Sequence, residues 1–145
     1  MATAGGPADD DAVRVSCPAA STYVPVLRAV ISALIADAGF DVDAYADARM
    51  AVDEAAETLI DIADPTAPLS ATYWLGADGV RVRLECGSTG GSVDQDTFGW
   101  RVLTTLTDRL ETDVVGDGRS PAANCIEFVK RRTIRESETD ARSRR

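Results

Sequence analysis

Hydrophobic and polar positions alternate at the start of this chain, then recur at helical spacing, then alternate again. Val13 and Val15 share one side of a short run, so Ala12 to Cys17 is predicted as a strand, ended by Pro18. Val26, Val30, Ala33 and Leu34 then recur at helical spacing, with Leu27 and Ile31 widening the stripe. Ser21 or Thr22 can cap that helix, Pro25 is tolerated in its first turn, and Gly39 closes it. Asp41 or Asp43 caps a second helix running to about Ile62, and Asp64-Pro65 stops it. Ser70 to Leu75 and Val80 to Cys86 are rich in β-formers and joined by Gly76-Ala77-Asp78-Gly79, which predicts a hairpin. Gly87 to Asp96 reads as a loop of small residues. A third helix is expected from Phe98 to Leu110, with Gly99, Leu103, Leu106 and Leu110 in register, and two strands follow at Asp113 to Val115 and Cys125 to Arg131.

That order predicts an α+β fold: a two-layer sandwich of a mixed, mainly antiparallel sheet with three helices on one face. Residues 1–11 are read as a disordered leader, 12–131 as one domain, and 132–145 as a charged flexible tail.

The second helix carries the most chemistry. Asp47, Glu54, Thr58 and Asp61 fall along one stripe, because a helix turns about 100° per residue. Tyr45, Arg49, Val52, Ala56, Leu59 and Ala63 form a neighbouring, mostly apolar stripe expected to face a core. Glu54 therefore sits at the edge of a packing face, where a carboxylate can serve as a general base. A solvated acidic face has the same spacing.

Composition narrows the chemistry. The 145 residues include no histidine, which excludes Ser-His-Asp and Cys-His catalysis and histidine-bearing zinc sites. Cys17, Cys86 and Cys125 are isolated, outside any C-x-x-C pair, and read as buried free thiols in or beside strands. A net charge of −9 repels a phosphate backbone, so direct nucleic-acid binding is not expected and a basic protein partner is. No apolar run reaches the roughly 20 residues of a membrane span and no secretory signal opens the chain, so a cytoplasmic protein without membrane contact is expected.

Ala51-Val52-Asp53-Glu54-Ala55 on a helix, after a strand and a first helix, resembles the nucleotide-binding helix of the GHKL ATPases. The later run Phe98-Gly99-Trp100-Arg101-Val102-Leu103 is similar to that family's glycine box and following helix. The likeness runs from about Val13 to Arg131 and is closest to the anti-sigma factor and serine-protein kinase branch of actinobacterial stress-response type. It rests on the ordered set, since no single motif is intact.

The resemblance implies a GHKL nucleotide-binding fold and a role for each box. Glu54 matches the family's catalytic base, and Thr58 stands where an asparagine would hold magnesium. A threonine hydroxyl is a shorter ligand, which weakens the expectation of magnesium and of metal-dependent phosphoryl transfer. Glu85-Cys86-Gly87 stands for the family's aspartate-x-glycine turn, with Glu85 as acceptor for the adenine amino group. A strand-end glutamate paired with its neighbouring arginines fits the same position. Of the family's glycine-x-glycine, Gly99 survives and Thr97 replaces the first glycine. The aromatic neighbours Phe98 and Trp100 add bulk there, and residues 88–96 carry no lysine or arginine for a γ-phosphate. Arg28 matches an arginine with which the family contacts its protein partners.

The expected function is thus an anti-sigma factor that sequesters an alternative sigma factor and is displaced by an anti-anti-sigma protein. The resemblance also implies a homodimer and a degenerate site binding ATP or ADP weakly. An active serine/threonine kinase that phosphorylates the anti-anti-sigma protein is the alternative.

Overall fold

In a computed structural model, residues 11–116 and 122–132 are described; the expected leader and tail, and the turn at residues 117–121, lie almost wholly outside them. Strand β1 (Val13–Pro18) leads through a 3-10 turn at Ser21–Tyr23 into helix α1 (Val24–Ile35). Helix α2 (Val42–Asp61), strands β2 (Pro68–Leu75) and β3 (Gly79–Gly87), helix α3 (Phe98–Leu106) and strands β4 (Arg109–Val115) and β5 (Ala123–Arg131) complete the order.

The strands form one sheet in the order β1-β2-β3-β5-β4, and every neighbouring pair is antiparallel. The expected mixed sheet is therefore corrected to an antiparallel one. β5 enters between β3 and β4 and runs against both, so no parallel pair is needed to close the sequence of strands.

Alternation decides which side of the sheet each residue serves. Val80, Val82, Leu84 and Cys86 of β3 are buried in the core with Leu69, Ala71 and Tyr73 of β2 and Ile126 and Phe128 of β5. The intervening residues Arg81, Arg83 and Glu85 stand on the opposite, open face, only partly covered. Cys125 and Trp74 are buried on that face, Trp74 beneath the Arg81 guanidinium, which lies 4.1 Å from the ring centroid.

Helix α2 fits against the sheet through small side chains. Its buried positions are Ala44, Ala48, Ala51, Val52, Ala55, Ala56 and Leu59. Alanines let a helix axis approach closely, which shifts the packed stripe away from the expected Tyr45 and Arg49. Those two remain half-buried at its edge, with the Arg49 guanidinium 5.5 Å from the Tyr45 ring centroid. Asp41 caps α2 by accepting from the Ala44 N–H at 2.7 Å. Lys130 of β5 reaches Asp47 at 3.2 Å, and the buried Tyr73 hydroxyl donates to the Leu27 carbonyl at 3.0 Å. These contacts tie both helices to the sheet.

Helix α3 is shorter than expected. It ends at Leu106, where Thr107 turns extended and its hydroxyl donates to the Leu103 carbonyl at 2.7 Å. Leu110 belongs to β4, opposite Phe128, where pairing with β5 overrides the helical spacing. Its side chain still packs on the core, which is why the apolar register carried through.

Candidate functional site

The C-terminal half of α2, the loop after β3 and the first turn of α3 enclose a cleft made of two hollows that share Ser92. The smaller, about 220 Å³, is lined by Glu54, Thr58 and Asp61 on α2, by Asp94, and by Thr97 and Gly99 at the start of α3. The helical stripe read from the sequence thus delivers three of its four members here. Asp47, the fourth, sits near the opposite end of α2 with Lys130.

Thr97 opens α3 as its cap, the side-chain oxygen accepting from the Trp100 N–H at 3.1 Å. Gly99 follows, and a β-carbon at this position would overlap the Glu54 carboxylate. Glycine is needed because the acid approaches the helix backbone too closely for any side chain. The positive end of α3, where a free helix terminus would attract a phosphate, therefore already faces a carboxylate of the protein. Thr58 uses its hydroxyl proton on the Glu54 carbonyl, at 2.8 Å.

The larger hollow, about 500 Å³, is framed by Asp64, Gly90, Gly91, Val114, Ser88 and Asn124. Ser88 and Asn124 are the buried polar residues here, 6% and 2% exposed. The Ser88 hydroxyl donates to the Gly91 carbonyl at 2.9 Å and accepts from the Gly90 N–H at 3.2 Å. The Asn124 amide nitrogen donates to the same Gly91 carbonyl at 2.8 Å. Gly90 has φ +130°, a conformation open to glycine, and so lets the loop turn over this hollow. Asp64 accepts from the Thr66 N–H at 2.9 Å and from its hydroxyl at 2.8 Å, which holds its carboxyl below the usual range.

The structure gathers Glu54, Thr58 and Gly99 and leaves the other predicted residues elsewhere. Glu85 is on the open face of the sheet, bound to Arg83 at 2.7 Å, while its neighbours Leu84 and Cys86 face the helices. It reads no ligand in the cleft from there, and the pairing with a neighbouring arginine is the arrangement found. Gly87 serves the turn between α2 and β2: its carbonyl accepts from the Asp64 N–H at 2.8 Å, and a β-carbon there would come within 2.8 Å of the Ala67 β-carbon. Arg28 is on α1, away from both hollows, paired with Asp53 of α2 at 2.8 Å. Of the two aromatic residues flanking Gly99, Trp100 packs partly against the core and Phe98 stands 80% exposed.

Ser88, Asn124, Asp64 and Asp94 were not singled out from the sequence. Ser88 sits in a run of small residues and Asn124 just before the expected strand at Cys125, so neither carries a periodic signal.

The residues present do not fit a magnesium-bound triphosphate. Three carboxylates line the smaller hollow, and no described lysine or arginine lines either hollow. Among the described residues no group of three acidic, cysteine or histidine side chains converges as a metal site.

An α+β sandwich with a cleft between its second helix, the loop after its third strand and the start of its third helix is the GHKL-like arrangement expected from the sequence. No family model matches the sequence. The chain is similar to the anti-sigma-F factor RsbW of Mycobacterium tuberculosis, 35% identical over 111 residues, in both strain CDC 1551 / Oshkosh and strain H37Rv. The match covers 76% of this chain and 65% of the relative's own length. The chain thus spans a little under two thirds of the length of the anti-sigma factors it matches, and the likeness is to the kind of protein that its sequence resembles.

Proposed function

We propose that this protein is an anti-sigma factor with a degenerate nucleotide site, which acts by sequestering an alternative sigma factor and is released by an anti-anti-sigma protein. The observation that carries this reading is the 35% identity to an anti-sigma-F factor across most of the chain. The cleft supports binding rather than catalysis. Glu54 is retained, but with Asp61 and Asp94 beside it and no cation in the lining, it has little with which to hold a phosphoryl donor. That favours the anti-sigma reading over a kinase acting on the anti-anti-sigma protein. ATP or ADP binding is accordingly weak in this reading, with little help from magnesium. A homodimer remains part of the proposal through the family.

Arg28 is the proposed partner contact. Its guanidinium is part-exposed on α1, with Asp53 engaging one of its nitrogens. The remaining donors of the planar fork can meet a carboxylate of the partner. Arg28→Ala is expected to weaken sigma-factor binding by about 1–3 kcal/mol. Its thermal stability should change little, because a half-exposed ion pair contributes about 0.2–1 kcal/mol. Calorimetry with the cognate sigma factor, alongside a thermal melt, decides the matter. Wild-type affinity in a folded Arg28→Ala variant would remove Arg28 from the contact surface, and no capture of any alternative sigma factor by the wild-type chain would remove the function.

A further inference from the structure

Phe98 stands 80% exposed in the first turn of α3 and lines neither hollow of the cleft. Its backbone is held on both sides. The Asp96 N–H donates to the Asp94 carboxylate at 2.8 Å, the Thr97 hydroxyl to the Asp94 carbonyl at 3.3 Å, and the Trp100 N–H to the Thr97 hydroxyl at 3.1 Å. A partner that buries the ring therefore loses little to ordering the chain around it. A large apolar side chain on a fixed helix start has the form of an interface anchor.

Its position relative to Arg28 extends that surface. Arg28 pairs with Asp53, and the start of α3 abuts the next residue, Glu54, so the two sites flank α2 at one level along its axis. A helix turns about 100° per residue, which puts Met50, Glu57 and Asp61 on the outward stripe between those flanks. That stripe lies opposite the buried Ala48, Val52, Ala55 and Leu59, and Met50 on it is 52% exposed. Arg28, Met50 and Phe98 thus mark one surface across the outer side of the helices. The charge around its two apolar side chains is mostly acidic, from Glu57, Asp61, Asp94 and Asp96, with Arg101 the one cation of α3.

We infer that this surface, with Phe98 as its anchor, covers a basic, DNA-contacting part of the sigma factor. The inference rests on the reading above that a sigma factor is the captured partner. A protein that holds DNA carries cations for the phosphates. The same cations meet the carboxylates around Phe98, while the ring enters an apolar pocket between their stems. Capture on this surface withholds those cations from DNA.

Calorimetry of the full chain with the purified sigma factor that the wild type captures tests it. Phe98→Ala should weaken binding about tenfold or more, and Phe98→Leu should recover part of the loss. The thermal melt should not move, because the ring is exposed. Asp94→Lys combined with Asp96→Lys should also weaken binding, most at low salt and less as salt rises. Wild-type affinity in Phe98→Ala, with Arg28→Ala still weakened, overturns the inference and leaves the anti-sigma reading standing. A Phe98→Ala protein that holds the sigma factor but loses the anti-anti-sigma protein overturns it too, by assigning the ring to the other partner. Failure of the wild-type chain to capture any alternative sigma factor removes the reading, and this inference with it.

Discussion

The two faces of the sheet are made by alternate residues of the same strands, yet they have little else in common. On the covered face Val82, Leu84, Ile126 and Phe128 are sealed beneath α2 and neighbouring elements. On the open face, one residue along in each strand, Arg83, Glu85 and Glu127 join in a chain of ion pairs across β3 and β5. A side chain at the end of β3 thus belongs to the helices and the cleft or to the open surface according to a single step in sequence. Glu85 falls on the wrong side of that step to read a ligand, and Ser88, beyond the strand, reaches the cleft.

That contrast can be broken most forcefully at Leu84. Leu84→Ala opens a hole in the covered face and should destabilise the fold by about 2–5 kcal/mol, read from denaturant melts. A cost below about 1 kcal/mol would mean that this face is not the packed core.

Cys125 gives an intermediate effect that depends on pH. It faces Glu85 across the strands but is almost fully buried, and burial first, then the carboxylates of Glu85, Glu127 and Asp113 against the opposing Arg83, push its thiol up to about 11. A raised thiol pKa means the folded chain keeps a proton that the unfolded chain has lost. Stability should therefore fall as pH rises through the ordinary thiol value of 9.0 and level off above about 11. Cys125→Ala should flatten that decline without abolishing it, because Cys86 and Tyr73 are also pushed up by burial. An identical alkaline slope in the variant would show that the open face leaves this thiol in contact with water.

The smallest effect is expected at Glu85. Glu85→Gln removes one partner of a part-exposed ion pair and should cost no more than about 1 kcal/mol. It should also leave the affinity of the cleft for ATP unchanged. A loss of ligand binding in a folded Glu85→Gln protein would place this side chain in the cleft after all.

Most of the fold was legible in the sequence, because strong periodicity and breakers coincide. Asp41, Asp64-Pro65 and the Gly76 to Gly79 turn bound α2 and the β2-β3 hairpin close to where they fall. The end of α3 was not legible, since Leu110 is apolar whether it continues a helix or faces the core from β4. β5 hid its alternation, because Asn124, Cys125 and Ile126 are buried in succession on both faces. In the cleft, the α2 stripe of Glu54, Thr58 and Asp61 could be read because helical geometry fixes it. The partners that close the cleft come from a loop of small residues and from a strand end distant in sequence, and spacing carries no signal for either. Arg28 was visible as the lone cation of α1, but its pairing with Asp53 across helices was not.

The stacked Trp74 has a further consequence when set beside Trp100, the other tryptophan of the chain. One indole lies under Arg81 on the open face, and the other lies in the first turn of α3, one residue past the cleft-lining Gly99 and packed partly against the core. Indole emission shifts with the polarity around the ring, so each surface carries its own optical reporter in the native sequence. Replacing either tryptophan by phenylalanine isolates the light of the other. Events at the cleft and events on the sheet can then be followed separately, in real time and without an attached dye.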